Sequence, residues 1–192
     1  MKASIPPEPV GRDGIPRAGA PVCGRIGRAV ILFTGPMVPA VTTRAATEQD
    51  DAFLFALFAA VRSPEFAHLP LAPAQLDMLM KIQYGGQQHS YRAQFPGGSE
   101  IVLLDGQPIG RLWLYRGPAE HRLVDIALLP EFRNRGIGAA LVTEAIAAAK
   151  AAHVPLCCSV GSSNQGSLRF HQRLGFRIVD QDEVYCELAI EP

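Results

Sequence analysis

Between Val41 and the C-terminus, apolar positions recur every third or fourth residue in some stretches and every second residue in others. Val41-Thr42-Thr43-Arg44-Ala45-Ala46 suits a short first strand. After Asp50, the residues Phe53, Leu54, Leu57, Phe58 and Val61 fall at helical spacing. A proline-rich connection, Leu69 to Pro73, leads to a second helical stretch carrying Leu76, Leu79, Met80 and Ile82. That stretch is expected to stop at Gly85-Gly86. Ile101–Leu104, the turn Asp105-Gly106 and Ile109–Leu114 read as a hairpin. A strand from Leu123 to Leu129 ends at Pro130. A helix follows from Ala139 to about Ala152, with Leu141, Val142, Ala145, Ile146 and Ala149 on one apolar stripe. A strand over Leu156–Val160, a short helix from about Gly166 to Leu174, and strands near Phe176–Val179 and Val184–Ile190 complete the order. This predicts an α/β (α+β) domain with a mixed sheet and helices on its faces.

Residues 1–38 lack either period. Pro6, Pro7, Pro9, Pro16, Pro21 and Pro36, with several glycines, read as a flexible leader before a domain over 39–192. Met37, where the composition becomes globular, is an alternative start. The apolar run Ala29–Phe33 is too short and too late for a secretory signal, and the acidic residues and prolines count against a transit peptide.

Composition narrows the class. The chain is 48% hydrophobic and 19% charged, as folded domains are, and its 18 basic and 18 acidic residues balance. Nothing in that balance calls for nucleic acid or a membrane as partner, and no apolar run is long enough to span a bilayer. None of the four cysteines (Cys23, Cys157, Cys158, Cys186) forms a C-x-x-C pair. They read as buried thiols of a soluble cytoplasmic protein without a metal site.

The chemistry concentrates at Arg133-Asn134-Arg135-Gly136-Ile137-Gly138, between a strand and a helix. A helix N-terminus offers unpaired N–H groups and the positive end of a dipole. Gly136 and Gly138 let the backbone approach an anion, Ile137 can anchor the turn in the core, and Arg133 and Arg135 add positive charge. A plain strand-to-helix connection with exposed arginines is the alternative. No Lys follows Gly138, so this is not a P-loop. Leu141 stands where a dinucleotide fingerprint needs its third glycine.

Ile126 to Gly138 resembles the acetyl-CoA motif of the GNAT superfamily of N-acetyltransferases, [QR]-x-x-G-x-[GA]. Asn164 to Phe176, an Asn, a short helix and a terminal Leu174-Gly175-Phe176, resembles that family's later segment. The resemblance covers about four-fifths of the chain. It implies a mixed, mostly antiparallel twisted sheet of about seven strands flanked by about four helices. It implies acetyl-CoA as co-substrate, held by the turn from Arg133 through Gly138 to Ala139, by the Leu128 backbone, and by Asn164. The pantetheine arm would lie between two splayed strands, those containing Leu128 and Leu156–Val160. Direct acetyl transfer to an amine of a small molecule or protein would follow. A non-catalytic acyl-CoA-binding module is the alternative, and a homodimer is the assembly that the resemblance suggests.

Two proton roles need residues. The amine must be deprotonated, and the thiolate leaves better when protonated. The family's usual acid is a Tyr on the short helix; here the matching position is His171, which could act as an imidazolium or simply pack there. Asp125 is the leading carboxylate for the base, with a structural pairing to Arg111, Arg122 or the backbone as the competing reading. His121 and Glu100 are outside candidates, and a water relay would need none of them. Phe66, His68, Tyr84, His89 and Tyr91 are the expected acceptor-site walls or core.

Overall fold

The computed structural model describes residues 30–31, 41–66 and 68–192. Strands β1 (Val30–Ile31) and β2 (Val41–Ala45) are followed by helices α1 (Asp51–Phe66) and α2 (Pro73–Gln94). Next come β3 (Glu100–Leu104), β4 (Gln107–Arg116) and β5 (His121–Leu128), then α3 (Ile137–Ala151). The chain closes with β6 (Leu156–Gly161), α4 (Gln165–Arg173), β7 (Arg177–Gln181) and β8 (Tyr185–Ile190).

These strands form one sheet of eight in the order β1-β2-β3-β4-β5-β6-β8-β7. Every pairing is antiparallel except β5 with β6. The order of elements agrees with the sequence reading apart from β1, which lies inside the segment read as a leader; the remainder of that reading falls outside the described residues.

Local chemistry explains most boundaries. Asp105 (φ 50°) and Gly106 (φ 82°) both take left-handed backbone, the requirement of the tight turn joining β3 to β4. At the start of α1, the Asp50 carboxylate accepts from Arg44 at 2.6 and 2.7 Å and from the Thr47 backbone at 2.8 Å, tying the end of β2 to the helix.

One boundary differs from expectation. Helix α2 continues through Gly85-Gly86 for eight further residues, to Gln94. Each glycine costs a helix about 1 kcal/mol relative to Ala. Tertiary contacts offset that cost: Tyr91 meets Trp113 edge-on at 5.4 Å, and Gln87 accepts from Arg111 at 3.1 Å.

The two sheet faces have different jobs. On one, Leu112, Leu114, Leu123 and Leu128 pack with Leu141, Val142, Ala145 and Ala149 of α3 and Leu168 of α4 as a continuous core. On the other, Trp113 and Tyr115 stack with Tyr91 and Phe95 of the α2 end. Trp113 pairs with Asp125 but Leu114 with Leu123, so Val124 is an extra residue bulging from β5.

Candidate active site

Strand β5 pairs with β6 only at His121↔Leu156 and Arg122↔Cys157. Beyond that point β5 runs on to Leu128 while β6 pairs with β8, so the sheet opens into a split. Among the described residues, one backbone edge of β5 after the Val124 bulge is thus left without a strand partner, a place where an extended, amide-bearing ligand can pair.

The turn lies at the far end of that edge. Gly136 is the N-cap of α3 with φ 79°, a conformation costly for any residue with a Cβ. The first helical acceptor is the Gly136 carbonyl, which takes the N–H of Ala140 at 3.0 Å. The N–H groups of Ile137, Gly138 and Ala139 therefore have no carbonyl one turn back in the helix. Ile137 is buried in the core, as the sequence predicted, and pins the turn. Gly138 is less demanding: a Cβ there would meet Phe170 at 3.6 Å and Ile126 and Leu128 at 3.9 Å, ordinary contact distances.

The arginines are placed more specifically than their charge alone implied. Arg133 Nε donates to the Leu128 carbonyl at 3.0 Å, fastening the turn to the end of β5. The Arg135 guanidinium lies over the Phe132 ring at 5.3 Å. Asn134 supplies a second left-handed residue at φ 59°. Asn164, across the split, caps α4 through Oδ1, which accepts the Ser167 N–H at 3.1 Å.

These elements carry a family. A match to the model described as Acetyltransferase (GNAT) family spans residues 69–176, more than half of the chain. The chain belongs to the GNAT acetyltransferase family. Solved structures repeat the fold at low identity. The PaiA N-acetyltransferase of Thermoplasma acidophilum in complex with coenzyme A is 16% identical, with TM-score 0.61, covering 79% of this chain and 99% of that one. A GNAT family acetyltransferase from Elizabethkingia anophelis with acetyl-CoA bound is 22% identical, with TM-score 0.51 and coverage of 79% and 98%. An acetyltransferase from Thermus thermophilus is 17% identical, with TM-score 0.57 and coverage of 79% and 97%. A comparison with curated proteins gives no match.

Within this GNAT domain both proton-transfer candidates are engaged. Asp125 Oδ2 accepts Arg111 Nε at 2.9 Å and a second guanidinium nitrogen at 2.7 Å. Arg111 is buried, so the pair couples β4 to β5 and, through Gln87, to α2. His171 is buried between Phe170 and Phe176, whose rings meet it edge-on at 5.0 and 5.3 Å. Its Nδ1 lies 2.9 Å from the Ser167 carbonyl, an acceptor, which assigns the proton to Nδ1 and leaves a lone pair on Nε2. Burial pushes the imidazole below its ordinary value, against a weaker opposing pull from Ser167. His171 is therefore neutral near pH 7.

His121 is buried too, and Glu100 pairs loosely with Arg116 at 3.8 Å. The expected wall residues do not converge. Tyr84 packs against Phe55 and Phe58, Tyr91 packs on the sheet, and His89 joins Tyr84 at a hollow beside α2. Phe66 ends α1, and His68 is exposed in the connection.

The structure adds residues that sequence reasoning left unassigned. At the vertex of the split, Arg122 donates to Glu120 at 2.8 Å and to Ser159 and Glu187 at 3.1 Å, and Ser159 also donates to Glu187. This polar network bridges β5, β6 and β8 where β5 and β6 part. Alternation along β8 places Tyr185 and Glu187 on one face, but their partners are distant in sequence.

Proposed function

We propose that this GNAT protein transfers the acetyl group of acetyl-CoA to a primary amine of a small molecule or protein, by direct attack. The observation that carries the reading is the pairing of an open β5 edge with the open N–H groups of the Gly136 turn at its end. The edge suits the amide-bearing pantetheine arm, and the turn suits its pyrophosphate. Arg133 to Ala139, with Leu128 and Asn164, would hold the cofactor. Because the Leu128 carbonyl already takes Arg133, the strand's remaining edge groups and Leu128's other lone pair are what it offers the ligand.

In the transfer, the amine nitrogen attacks the thioester carbonyl carbon and the oxyanion collapses with cleavage of the C–S bond. One proton leaves nitrogen and one reaches sulfur, so the protons balance. A cysteinyl intermediate is disfavoured at the split. Burial pushes Cys157 up to about 11 and Cys158 up to about 12, so neither is a thiolate at neutral pH. Neutral His171 fits poorly as a standing imidazolium acid. With Nε2 buried as well, it packs α4 in this reading, and solvent delivers the proton that reaches sulfur. Asp125, held by Arg111, acts in this reading as a positioning group on β5, and solvent at the open face takes the amine proton.

The test is release of CoA from acetyl-CoA against a panel of amines, alongside direct acetyl-CoA binding. Acceptor-dependent release by wild type, lost together with binding in Gly136→Asp, supports the reading. Binding with no release across a broad panel would return the non-catalytic module.

A further inference from the structure

At the vertex of the split, Arg122 reaches Ser159 and Glu187 while its guanidinium lies over the Phe95 ring at 5.9 Å, so these side chains share the α2 face of the sheet. Alternation then puts Gly161 and Tyr185, which pair directly, on that same face. On β5 the Val124 bulge brings Asp125 to it, since Asp125 holds Arg111 and Arg111 reaches Gln87 of α2. Counted from the Arg122↔Cys157 pair, with the bulge absorbing one residue, Asp125 stands level with Ser159 and Ala127 with Gly161. Beyond the vertex, then, this face of the split has only Ala127 on one side and Gly161 on the other. A Cβ on Gly161 would meet only the Val184 carbonyl among the described residues, at 3.9 Å, so the slot is open there.

Two phenols flank it. Tyr185 is 39% exposed. Tyr91 hangs from α2, its ring edge-on to Trp113, the residue paired with Asp125. Burial first, and the Asp125 charge next, raise the Tyr91 phenol well above its ordinary value, and Tyr185 is close enough to add to the effect. The Tyr91 hydroxyl therefore keeps its proton. It makes no hydrogen bond among the described residues, and unlike the Tyr84 hydroxyl it is not sealed from solvent.

We infer that the acceptor of the transfer proposed above enters this slot from the α2 face, between Tyr91 and Tyr185, and is a primary amine on an unbranched alkyl chain with no carboxylate beside the nitrogen. The inference rests on that transfer reading. Two phenol rings favour an approaching ammonium, and the Tyr91 oxygen has a lone pair free to accept one N–H of the amine. The small residues Ala127 and Gly161 leave width for a methylene chain. Glu120 and Glu187 share one partner, Arg122, so the vertex keeps one uncompensated negative charge, which repels a carboxylate on the acceptor.

The experiment measures CoA release by full-length protein saturated with acetyl-CoA, alongside direct acetyl-CoA binding. The acceptors are n-pentylamine, 2-aminohexane and L-norleucine, which differ only in carrying a hydrogen, a methyl or a carboxylate beside the nitrogen. The expected order of kcat/KM is n-pentylamine, then 2-aminohexane, then norleucine. Glu187→Gln should narrow the gap between the last two by roughly fivefold. Tyr91→Phe keeps the ring on Trp113 and should raise KM for n-pentylamine by about tenfold, the loss of one hydrogen bond. Gly161→Val suits a strand and should cut kcat/KM by about a hundredfold through misplacement of the amine. Neither of these two variants should change acetyl-CoA affinity. Norleucine turned over as well as n-pentylamine, or Tyr91→Phe and Gly161→Val both matching wild type, would overturn the inference and leave the transfer standing. So would release with other amines but none of these three, or loss of acetyl-CoA binding in Gly161→Val, which would put that face against the cofactor. Bound acetyl-CoA with no release to any amine would overturn the transfer reading itself, and this inference with it.

Discussion

Gly136 and Gly138 stand two residues apart in one turn, yet the structure predicts opposite responses to the same added methyl group. At Gly136 an added Cβ meets nothing within 4 Å among the described residues, so the penalty there is conformational and not steric. Holding a non-glycine residue at φ 79° costs about 1–2 kcal/mol. For a domain of this size that lowers Tm by roughly 2–8 °C. Gly138 has ordinary backbone and ordinary clearance, so Gly138→Ala should leave stability unchanged or raise it by up to about 1 kcal/mol of helix preference. Binding should separate the pair further, because relaxing Gly136 re-aims the N–H groups that face the anion. Gly136→Asp adds a carboxylate as well. A unit charge about 5 Å from a phosphate, at an effective dielectric near 20, opposes binding by about 3 kcal/mol, or roughly a hundredfold. The assay is acetyl-CoA titration by calorimetry, with Tm by circular dichroism. Wild-type affinity in both Gly136 variants would refute the assignment of the turn. Equal losses of Tm in Gly136→Ala and Gly138→Ala would refute the conformational argument. The same contrast explains why the family pattern admits Ala at the second glycine and not at the first.

Three other expectations follow from specific contacts. Gly110→Ala would place a Cβ 2.4 Å from the Ala127 carbonyl oxygen and 2.6 Å from a Leu128 methyl, so it should cost about 1–3 kcal/mol, read as a lower denaturation midpoint, and loosen the β5 edge. Asp125→Ala leaves the buried Arg111 charge uncompensated and should cost about 3–5 kcal/mol, whereas Arg111→Met combined with Asp125→Ala should cost much less; a loss in the double variant equal to the sum of the two single losses would show that the pair does not couple. For His171 burial holds the folded-state pKa below the unfolded value, so the unfolded chain takes up the proton first as pH falls. Stability should drop below about pH 6.5, by at most ~1.4 kcal/mol per pH unit for this group, and level off below the folded pKa. His121 adds a slope of the same sign through burial, reinforced by Arg116. Tm measured from pH 7 downward should therefore fall less steeply in His171→Phe than in wild type.

Sequence by itself determined what depends on neighbours along the chain. The order of strands and helices followed from apolar period. The Asp105-Gly106 turn and the Gly136 cap followed from which residues tolerate positive φ, and the start of α3 followed from glycines next to a helical stripe. Tertiary structure decided what depends on contacts between distant segments. Helix α2 crosses Gly85-Gly86 because Tyr91 and Gln87 find partners on β4, a gain invisible to local propensity. The resemblance matches His171 to the family's usual acid, but its surroundings were decided by Phe170, Phe176 and the Ser167 carbonyl closing around it. Asp125 was a carboxylate of open role until the register of β4 against β5 set Arg111 beside it. The hollow beside α2 had no motif at all. It joins α1, α2, the β2 end and Trp113, and only packing brings their polar and charged residues to one place.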